Sequence, residues 1–497
     1  MDNCIAGNFA GRLVQRLGEA SCLIDAATGQ TIPGRDLPAL TVGFAAGFLS
    51  AGLKPGDRLL VGCGLSPAST LAYLGAMYAG IVPVLLEERL LAASGDSLLA
   101  QSHAKTVWTA QATNSAWAEN KAARIAGSFE PHSPESLPPS PCAENDLAAL
   151  MPTSGSTGVP RLVMVSHGNL RSNTEAIIRS QHLGTDERAM LIMPVSYCFG
   201  ASVAHTHLYQ GGGVVFDSRF MFPDKVLHAI NTYGCTTFAG VPIIYNILLR
   251  RSNLKSIPLP GLRRFLQAGG ALSPEAVREM RDIVPTAEFL VMYGQTEATA
   301  RISCLPAARL RDKPGSAGLP LDNLEVRIAD EEGRELPTGQ VGEIQARGPS
   351  VCSGYLDDPE STERKFGGGW LKTGDFGCRD EDGYLWIKAR TEEFIKIRGL
   401  RVSVGEVETR VAAMAGVSEC AAVGVKHPEA GEALALLVVP DNSLAQNAVA
   451  GDSGDAFRER IRRALPPHWT CTSVKIVAEL PRTANGKIAR SQLQGLL

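Results

Sequence analysis

Short runs of apolar and β-branched residues alternate with helical stretches along most of this chain. Five such runs are typical of strands buried on both faces, and they lie at residues 59–61, 82–86, 163–165, 213–216 and 289–292. Helical stretches lie between them. The alternation predicts an α/β fold with largely parallel sheets.

The pattern changes near residue 390, where a strand-like segment ends and a short charged break follows. We therefore predict a large N-terminal domain, residues 1–389, of mixed and largely parallel sheets with helices. Residues 390–497 are predicted to form a small, mobile α+β domain. Its features are a helix at 406–415, a second helix carrying the apolar stripe Phe457, Ile461 and Leu465, and strands near 421–425, 435–439 and 474–477.

Composition excludes several classes of function. The chain has 497 residues, of which 44% are hydrophobic and 20% charged, with a net charge of -3. It contains no long basic run, so a nucleic-acid or anionic-membrane surface is not indicated. The longest apolar stretch, 71–86, is interrupted by Gly75, Gly80 and Pro83, and is short for a membrane span. It predicts a helix followed by a buried strand.

The cysteines and the N-terminus indicate the compartment. Eleven cysteines are scattered without a Cys-x-x-Cys pair. Their odd number and spacing favour reduced thiols and disfavour a zinc site. The N-terminal residues lack the basic region and apolar core of a signal peptide. We expect a cytoplasmic protein.

A loop of small and hydroxyl residues, closed by a cation, lies between two apolar stretches, 147–151 and 162–165. Glycine lets backbone N–H groups approach an anion, hydroxyls add donors, and an arginine adds fixed charge, so this composition suits a polyphosphate. It is not a Walker loop, which ends Gly-Lys-Ser/Thr. The loop residues are Thr153, Ser154, Gly155, Ser156, Thr157, Gly158, Val159, Pro160 and Arg161.

This loop resembles the phosphate-binding loop of the adenylate-forming (AMP-binding) superfamily, which includes acyl- and aryl-CoA synthetases, luciferases and peptide-synthetase adenylation domains. Those loops usually end Pro-Lys, whereas this chain has Pro160-Arg161. Four further segments match the family in the expected order, at 293–297, 372–375, 390–406 and 482–487. The resemblance implies activation of a carboxylic acid by ATP to an acyl-adenylate, followed by transfer of the acyl group to a thiol.

The resemblance also implies roles for individual residues around ATP. Residues 153–158 would hold the β- and γ-phosphates with Arg161 alongside, and Glu297 would bind Mg²⁺ together with Thr157. Tyr293 would stack on adenine within the motif that continues through Gly294 and Gln295, and Thr296 would reach the α-phosphate. The remaining nucleotide contacts would be the adenine slot at Gly269, Gly270 and Ala271, the ribose acceptor Asp375, and Arg390 on ribose or phosphate.

The small domain would act differently in the two half-reactions. Lys487 would bridge the substrate carboxylate and the α-phosphate during adenylation. Rotation about a hinge at Glu392 would then withdraw Lys487 and bring the loop from Lys396 to Gly399 to the same cleft. There Gly399 would let the pantetheine arm pass close to the backbone.

The acid pocket is predicted from the same comparison. Tyr197 matches the gate residue of acyl- and aryl-CoA ligases, and Phe199, Val241 and Met292 would form an apolar wall. Gly200 occupies the position where amino-acid-selecting domains carry an Asp that pairs with the ammonium. We therefore expect an acid without an α-amino group, because a buried unpaired ammonium is costly. His205 and His207 are expected to be packing or hydrogen-bonding residues.

Two acyl acceptors remain open. The first interpretation is a carboxylate–CoA ligase. The second is a stand-alone adenylating enzyme that loads a carrier protein through its phosphopantetheine, because the stretch 396–399 resembles peptide-synthetase domains. A third interpretation, a non-catalytic nucleotide-binding homologue, is disfavoured because Glu297, Asp375 and Lys487 are all present.

Overall fold

The computed structural model describes residues 7–110, 124–153, 161–390, 394–397, 400–428, 430–441, 453–466, 469–482 and 488–497. The α-helices within these ranges are α1 (Phe9–Arg16), α2 (Leu37–Ser50), α3 (Pro67–Tyr78), α4 (Leu91–Ser102), α5 (His167–Gln181), α6 (Cys198–Tyr209), α7 (Pro223–Thr232), α8 (Pro242–Arg251), α9 (Pro274–Ile283), α10 (Pro359–Phe366), α11 (Val404–Ala412), α12 (Ser453–Ala464) and α13 (Arg490–Leu493). Short 3₁₀ turns cover Gly34–Asp36, Glu88–Leu90, Thr296–Ala298, Ala307–Arg309, Gly367–Gly369 and Gln494–Leu496.

The strands are β1 (Cys22–Asp25), β2 (Thr31–Pro33), β3 (Arg58–Cys63), β4 (Val82–Glu87), β5 (Thr106–Thr109), β6 (Arg124–Ala126), β7 (Leu147–Pro152), β8 (Leu162–Ser166), β9 (Arg188–Leu191), β10 (Gly213–Phe216), β11 (Thr237–Gly240), β12 (Arg264–Gln267), β13 (Glu288–Tyr293), β14 (Ser303–Leu305), β15 (Leu319–Pro320), β16 (Glu325–Ala329), β17 (Gly342–Arg347), β18 (Leu371–Arg379), β19 (Leu385–Arg390), β20 (Phe394–Ile397), β21 (Leu400–Ser403), β22 (Val417–His427), β23 (Gly431–Pro440) and β24 (Cys471–Ile476).

Two sheets have parallel interiors and antiparallel edges. The nine-stranded sheet has the order β15-β14-β13-β12-β11-β9-β10-β1-β2, and its pairs from β13 to β1 are parallel. The six-stranded sheet has the order β6-β5-β3-β4-β7-β8, and only β7 and β8 pair antiparallel. The predicted α/β class and the parallel strands are confirmed.

One apolar core joins these two sheets. It includes Val61 and Trp108 of the six-stranded sheet, and Leu191 and Leu266 of the nine-stranded sheet. Helix α6 is buried along its length from Phe199 to Tyr209. A helix that is covered on all sides is held by packing, and this one fixes the residues at its N-terminus.

The chain divides into two compact units. One consists of Met1–Arg327, Gln345–Thr373 and Asp382–Leu385, and the other of Ile328–Ile344, Gly374–Glu381 and Trp386–Leu497. The last segment begins four residues before the boundary predicted at 390. The second unit therefore also takes in chain from before that boundary, and the predicted domain limits stay a proposal about which part moves.

The second unit contains its own core. Its sheet has the order β21-β20-β23-β22, with β24 pairing parallel to β23. Phe457 and Ile461 of α12 are buried in it, together with Leu465, as the apolar stripe predicts. A further four-stranded sheet has the order β16-β17-β18-β19.

The local predictions agree with these elements. Ser273 is the N-cap of α9, since its hydroxyl accepts from the Ala276 N–H at 3.2 Å. The apolar stretch 71–86 is the end of α3 followed by β4. Among the helices in the described ranges, none has both the length and the apolar character that crossing a membrane requires.

Candidate active site

Three neighbouring parallel strands end together at one edge of the nine-stranded sheet. Gly240 of β11 is in register with Gln267 of β12, which is in register with Val291 of β13. The segments that follow these strands hold residues predicted to bind adenine and the acid. Ligands of open α/β sheets bind at the carboxyl ends of the strands, so this edge is the expected place for the site.

The adenine segment after β12 is built from backbone. Gln267 is fully buried and donates from Nε2 to the Gly270 carbonyl at 2.7 Å. Gly269 has a φ of +81°, and a Cβ there would lie 2.8 Å from the Tyr197 hydroxyl and 3.0 Å from Val241 Cγ1. Only glycine fits this conformation and this contact. The structure therefore brings the predicted adenine segment against two residues of the predicted acid pocket.

Tyr197 and Phe199 stand at the start of α6. Their ring centroids are 6.5 Å apart at an interplanar angle of 73°. Phe199 is 3% exposed and Met292 is 4% exposed, so both lie inside the molecule. The structure places Tyr197 near both Phe199 and Val241.

Gly200, predicted to lie in the acid pocket, packs closely against backbone at the start of α6, and its place in the pocket stays a prediction. A Cβ on Gly200 would lie 2.4 Å from the Pro194 carbonyl oxygen and 2.9 Å from that of Met193. Its missing side chain therefore points at the backbone that precedes α6. Glycine is required there because the helix packs directly on that backbone.

Glu297 is held by an aromatic hydroxyl. The carboxylate is 9% exposed, and its Oε1 accepts from the Tyr355 hydroxyl at 2.7 Å. Burial and the Glu297 charge raise the pKa of Tyr355, so the phenol remains a donor. Beside it, the Thr296 hydroxyl donates to Cys198 Sγ at 3.4 Å. The motif 296–297 is thus anchored to both α6 and the segment before α10.

Arg161 reaches the same tyrosine. Its guanidinium lies 5.5 Å from the Tyr355 ring centroid, and its Nε is 3.3 Å from Asp358 Oδ2. Asp358 also caps α10 through the Ser361 N–H at 3.0 Å. A planar guanidinium can stack and pair at once, which an ammonium does less well. The arginine in place of the family's usual lysine is therefore tied, through Tyr355, to Glu297.

The two ends of the phosphate loop are held together by the antiparallel pair β7 and β8. Pro152 pairs with Leu162 across β7 and β8, and the Thr153 N–H donates to the Arg161 carbonyl at 2.9 Å. Thr153 and Arg161 are therefore adjacent. The predicted contacts at Ser154, Gly155, Ser156, Thr157 and Gly158 lie outside the described residues.

Glu297 fits a magnesium ion that is bound together with a polyphosphate. No group of three or more Asp, Glu, His or Cys side chains that could hold a metal occurs in the described part of the chain. Mg²⁺ commonly takes one or two protein carboxylates and completes its shell with phosphate oxygens and water. A buried carboxylate with one oxygen fixed by Tyr355 matches this requirement.

Further predicted nucleotide residues lie in strands or directly after them. Tyr293 ends β13 and is 8% exposed, and Gln295 donates from Nε2 to the Thr373 carbonyl at 3.3 Å. Asp375 lies in strand β18 instead of in a turn, and is 3% exposed. The preceding Gly374 donates its N–H to Glu343 at 3.1 Å. Their contacts with ATP stay predictions.

The residues proposed for the moving domain cannot be placed in the site. Glu392, Gly399 and Lys487 lie outside the described residues. Arg390 ends β19 and Lys396 lies within β20, and their backbone alone is described. Their roles stay predictions.

Sequence reasoning missed Tyr355, Asp358 and Arg301. Tyr355 is 58 residues from Glu297 in sequence, so no local spacing reveals their pairing. The sequence could have indicated Arg301, because it is a charged residue four positions after Glu297 in a segment of otherwise small or apolar residues. In the structure it is 2% exposed.

Comparisons with known proteins agree with this geometry. The family model described as AMP-binding enzyme matches residues 12–356, and that of the AMP-binding enzyme C-terminal domain matches residues 406–487. The chain belongs to the AMP-binding enzyme family. The first match contains Arg161, Glu297 and Tyr355, and the second ends at Lys487.

Curated relatives and solved structures resemble this AMP-binding enzyme over most of its length. It is 32% identical to a feruloyl-CoA synthase of Amycolatopsis over 90% of this chain and 91% of that protein. It is 34% identical to a sulfoacetate–CoA ligase of Cupriavidus necator over 72% of this chain and 68% of that one.

The solved structures show the same fold. ATP-bound MatB of Rhodopseudomonas palustris has a TM-score of 0.86 at 27% identity and covers 99% of this chain and 98% of its own. The O-succinylbenzoate coenzyme A synthetase of Bacillus subtilis, in complex with ATP and magnesium, has a TM-score of 0.83 at 25% identity and covers 98% and 99%. The fold of this AMP-binding enzyme is therefore one that holds ATP in both of those proteins.

Proposed function

We propose that this AMP-binding enzyme is an ATP-dependent acid–CoA ligase that forms AMP. The substrate carboxylate attacks the α-phosphorus of ATP, the bond to the β-phosphate breaks, and pyrophosphate leaves with the electron pair. The thiolate of CoA then attacks the acyl carbonyl, and AMP leaves. Names of relatives favour CoA over a carrier protein, because both curated relatives are named for CoA thioesters.

One observation carries this proposal: Arg161, Tyr355 and Glu297 form a continuous chain of contacts. It joins the cation that closes the phosphate loop to the carboxylate suited to magnesium. Phosphoryl chemistry of this kind depends on positioned charge more than on covalent catalysis. Bound magnesium would neutralise charge on the phosphates, and Tyr355 orients the carboxylate that would hold it.

The other residues have roles in binding the two substrates. Residues 153–158 and Arg161 would hold the outer phosphates, and Thr296 the α-phosphate. Tyr293 with the backbone at 269–271 would hold adenine, and Asp375 and Arg390 the ribose. Lys487 would neutralise the carboxylate and α-phosphate as they approach, because two anions otherwise repel.

We also propose a cytoplasmic location. The ten cysteines within the described residues are free thiols, which suits a reducing compartment.

ATP–pyrophosphate exchange with a panel of acids tests the proposed function. Wild-type enzyme should incorporate labelled pyrophosphate into ATP only when a suitable acid is present. Glu297→Gln should lower exchange by about 100-fold, because it removes the charge that would hold magnesium. Glu325→Gln is the control, since that carboxylate is 58% exposed in a surface pair with Arg347.

Two results would contradict the proposal. The first is a wild-type enzyme that gives no acid-dependent exchange with any aliphatic or aromatic acid. The second is a Glu297→Gln enzyme whose exchange rate equals that of Glu325→Gln.

A further inference from the structure

Arg301 is a buried arginine without a carboxylate partner in the described part of the chain. It is 2% exposed, and the groups whose charge it feels are Cys304, Cys198 and Tyr197, all weak acids. Burial lowers the pKa of its guanidinium to about 10, so it stays protonated at neutral pH. An uncompensated buried cation is destabilising, and an anionic ligand group beside it would remove that cost.

The backbone that carries Arg301 is held in place at a cost. Thr299 and Ala300 have φ values of 55° and 95°, which non-glycine residues rarely adopt. Thr299 donates its hydroxyl to the Ser350 carbonyl at 2.7 Å. Asn173 donates to the Arg301 carbonyl at 2.9 Å and accepts from its N–H at 3.3 Å. These contacts turn the chain so that Arg301 enters the interior directly after the Glu297 motif.

The guanidinium lies among residues of the predicted acid pocket. It is 5.2 Å from the Phe199 ring centroid and contacts Met292 Sδ. Both residues were expected to form an apolar wall for an uncharged acyl or aryl group. A fixed positive charge therefore lies beside two residues of the predicted wall, and a pocket formed by that wall would favour a different kind of acid.

The reacting carboxylate is a poor partner for this charge. A strong buried ion pair with that carboxylate would stabilise it before the reaction and lower its reactivity toward phosphorus. Thr296 and Lys487 are already assigned to the region around the α-phosphate. An anionic group elsewhere on the acid would pair with Arg301 without this loss.

We propose that Arg301 binds a second anionic group, a carboxylate or a sulfonate, on the acid that this enzyme activates. Arg301 is then a specificity residue, and the substrate is an acid with two anionic groups. The inference rests on the proposed acid–CoA ligase activity and narrows its substrate class.

Matched pairs of acids test the inference. Succinate is compared with butanoate, glutarate with pentanoate, and 3-sulfopropanoate with propanoate, by kcat/KM in ATP–pyrophosphate exchange. Wild-type enzyme should prefer the acid with two anionic groups in at least one pair. Arg301→Met should lower kcat/KM for that acid by about 100-fold or more, because it leaves a buried anion unpaired.

The matched acid with a single anionic group should not share this loss. Arg301→Met should keep or raise its kcat/KM, and the KM for ATP should not change. Arg301→Lys should retain part of the preference for the anionic acid. Arg311→Met is the control, because Arg311 is exposed and its loss should leave discrimination unchanged.

Stability separates a specificity role from a structural one. Replacement of an unpaired buried charge by an apolar side chain of similar length should leave the melting temperature equal or higher. If Arg301→Met nevertheless fails to fold, the wild-type preference within each pair and its partial retention in Arg301→Lys decide the question.

Calorimetric binding of the acids without ATP distinguishes failure of this inference from failure of the proposed function. Tight binding of a two-anion acid that is lost in Arg301→Met supports the inference even if no exchange occurs. Preference for the acid with a single anionic group in every pair, or an equal loss for both members of a pair in Arg301→Met, would overturn it. The equal loss would mean that Arg301 holds the reacting carboxylate.

Discussion

Single residues connect parts of the site that are far apart in sequence. Tyr355 contacts the Glu297 carboxylate through its hydroxyl and the Arg161 guanidinium through its ring. Asp358 holds the other side of that guanidinium. The orientation of the proposed magnesium ligand therefore depends on a residue that takes no direct part in the proposed chemistry.

Tyr355→Phe should weaken the use of magnesium while keeping the ring beneath Arg161. We expect the magnesium concentration for half-maximal exchange to rise about 10- to 150-fold, because loss of one hydrogen bond to a charged group costs about 1.5–3 kcal/mol. A titration of exchange rate against free Mg²⁺ measures this. Tyr78→Phe is the control, since its hydroxyl donates to the Leu137 carbonyl away from Glu297. An unchanged magnesium dependence would show that Tyr355 does not orient the carboxylate.

Gly200→Ala should destabilise the enzyme without selecting among acids. The new Cβ would lie 2.4 Å from the Pro194 carbonyl, so the start of α6 must shift. Overpacking of this kind costs about 1–3 kcal/mol. Urea unfolding measures the loss, and kcat/KM should fall similarly for small and large acids. Loss confined to the larger acids, at unchanged stability, would place Gly200 in the acid pocket.

The sequence predicts single residues well where a motif carries the information. It placed Glu297, Thr296 and Arg161 near the site because their motifs are contiguous. It could not predict the Tyr355 partner, since a pair 58 residues apart forms only after β-strand packing. It did not predict the close packing at Gly200, because an absent side chain has the same sequence signal whether it faces a ligand or a backbone carbonyl.

At the scale of elements, helices and strands position the site through buried packing. The apolar run 289–292 predicted β13, whereas β11 and β12 were not predicted, and the common register of the three strands follows from parallel pairing. The boundary between the two compact units runs through the four-stranded sheet β16–β19, and the sequence did not predict this. Local propensity does not tell which neighbouring strands a short β-run will join.

Three buried histidines hold the helices that surround α6. His167 accepts from the Phe9 N–H at Nδ1 over 3.2 Å, and His205 packs between the rings of Phe9 and Tyr73. His207 Nδ1 lies 2.9 Å from the Val203 carbonyl. Burial lowers the pKa of His167 to about 4, that of His205 to about 3 and that of His207 to about 4.

These shifts predict a loss of stability in acid. The pKa of each histidine in the folded protein lies below its unfolded value of about 6.5. At a pH between these two values, the unfolded chain binds more protons than the folded protein. The free energy of unfolding should be highest above pH 6.5. It should fall as the pH decreases toward 4, by up to about 1.4 kcal/mol per pH unit for each histidine.

Urea unfolding from pH 7.5 to pH 4.5 measures this dependence. His205→Phe should flatten it by about one third, because one of the three linked groups is removed. His228→Asn replaces an exposed histidine and should leave the slope unchanged. A slope that is the same in His205→Phe and wild type would show that His205 is not held neutral by the fold.

At the scale of the whole molecule, two compact units carry different parts of the proposed chemistry. The first unit contains Arg161, Glu297 and Arg301, and the second contains Asp375 and Lys487. The sequence predicted a second unit with its own core from the apolar stripe of α12. Its movement about Glu392 stays a prediction, because motion between units leaves no periodic signal in either one.

Lys487→Ala should separate the two half-reactions. We expect acid-dependent pyrophosphate exchange to fall about 100-fold or more, because a cation placed at the attacking carboxylate and α-phosphate is lost. Thioester formation from a supplied acyl-adenylate should be largely retained. Lys475→Ala, an exposed lysine of β24, is the matched control. Equal losses in both half-reactions would rule out a role restricted to adenylation.

The balance of products in one complete reaction tests the central claim most directly. Purified enzyme is incubated with ATP, Mg²⁺, CoA and the acid that gives the fastest exchange, and all products are quantified. An AMP-forming acid–CoA ligase must yield acyl-CoA, AMP and pyrophosphate in equal amounts, and AMP must not accumulate catalytically when the acid is left out. ADP and inorganic phosphate as the products, or AMP release that does not depend on the acid, would contradict the account.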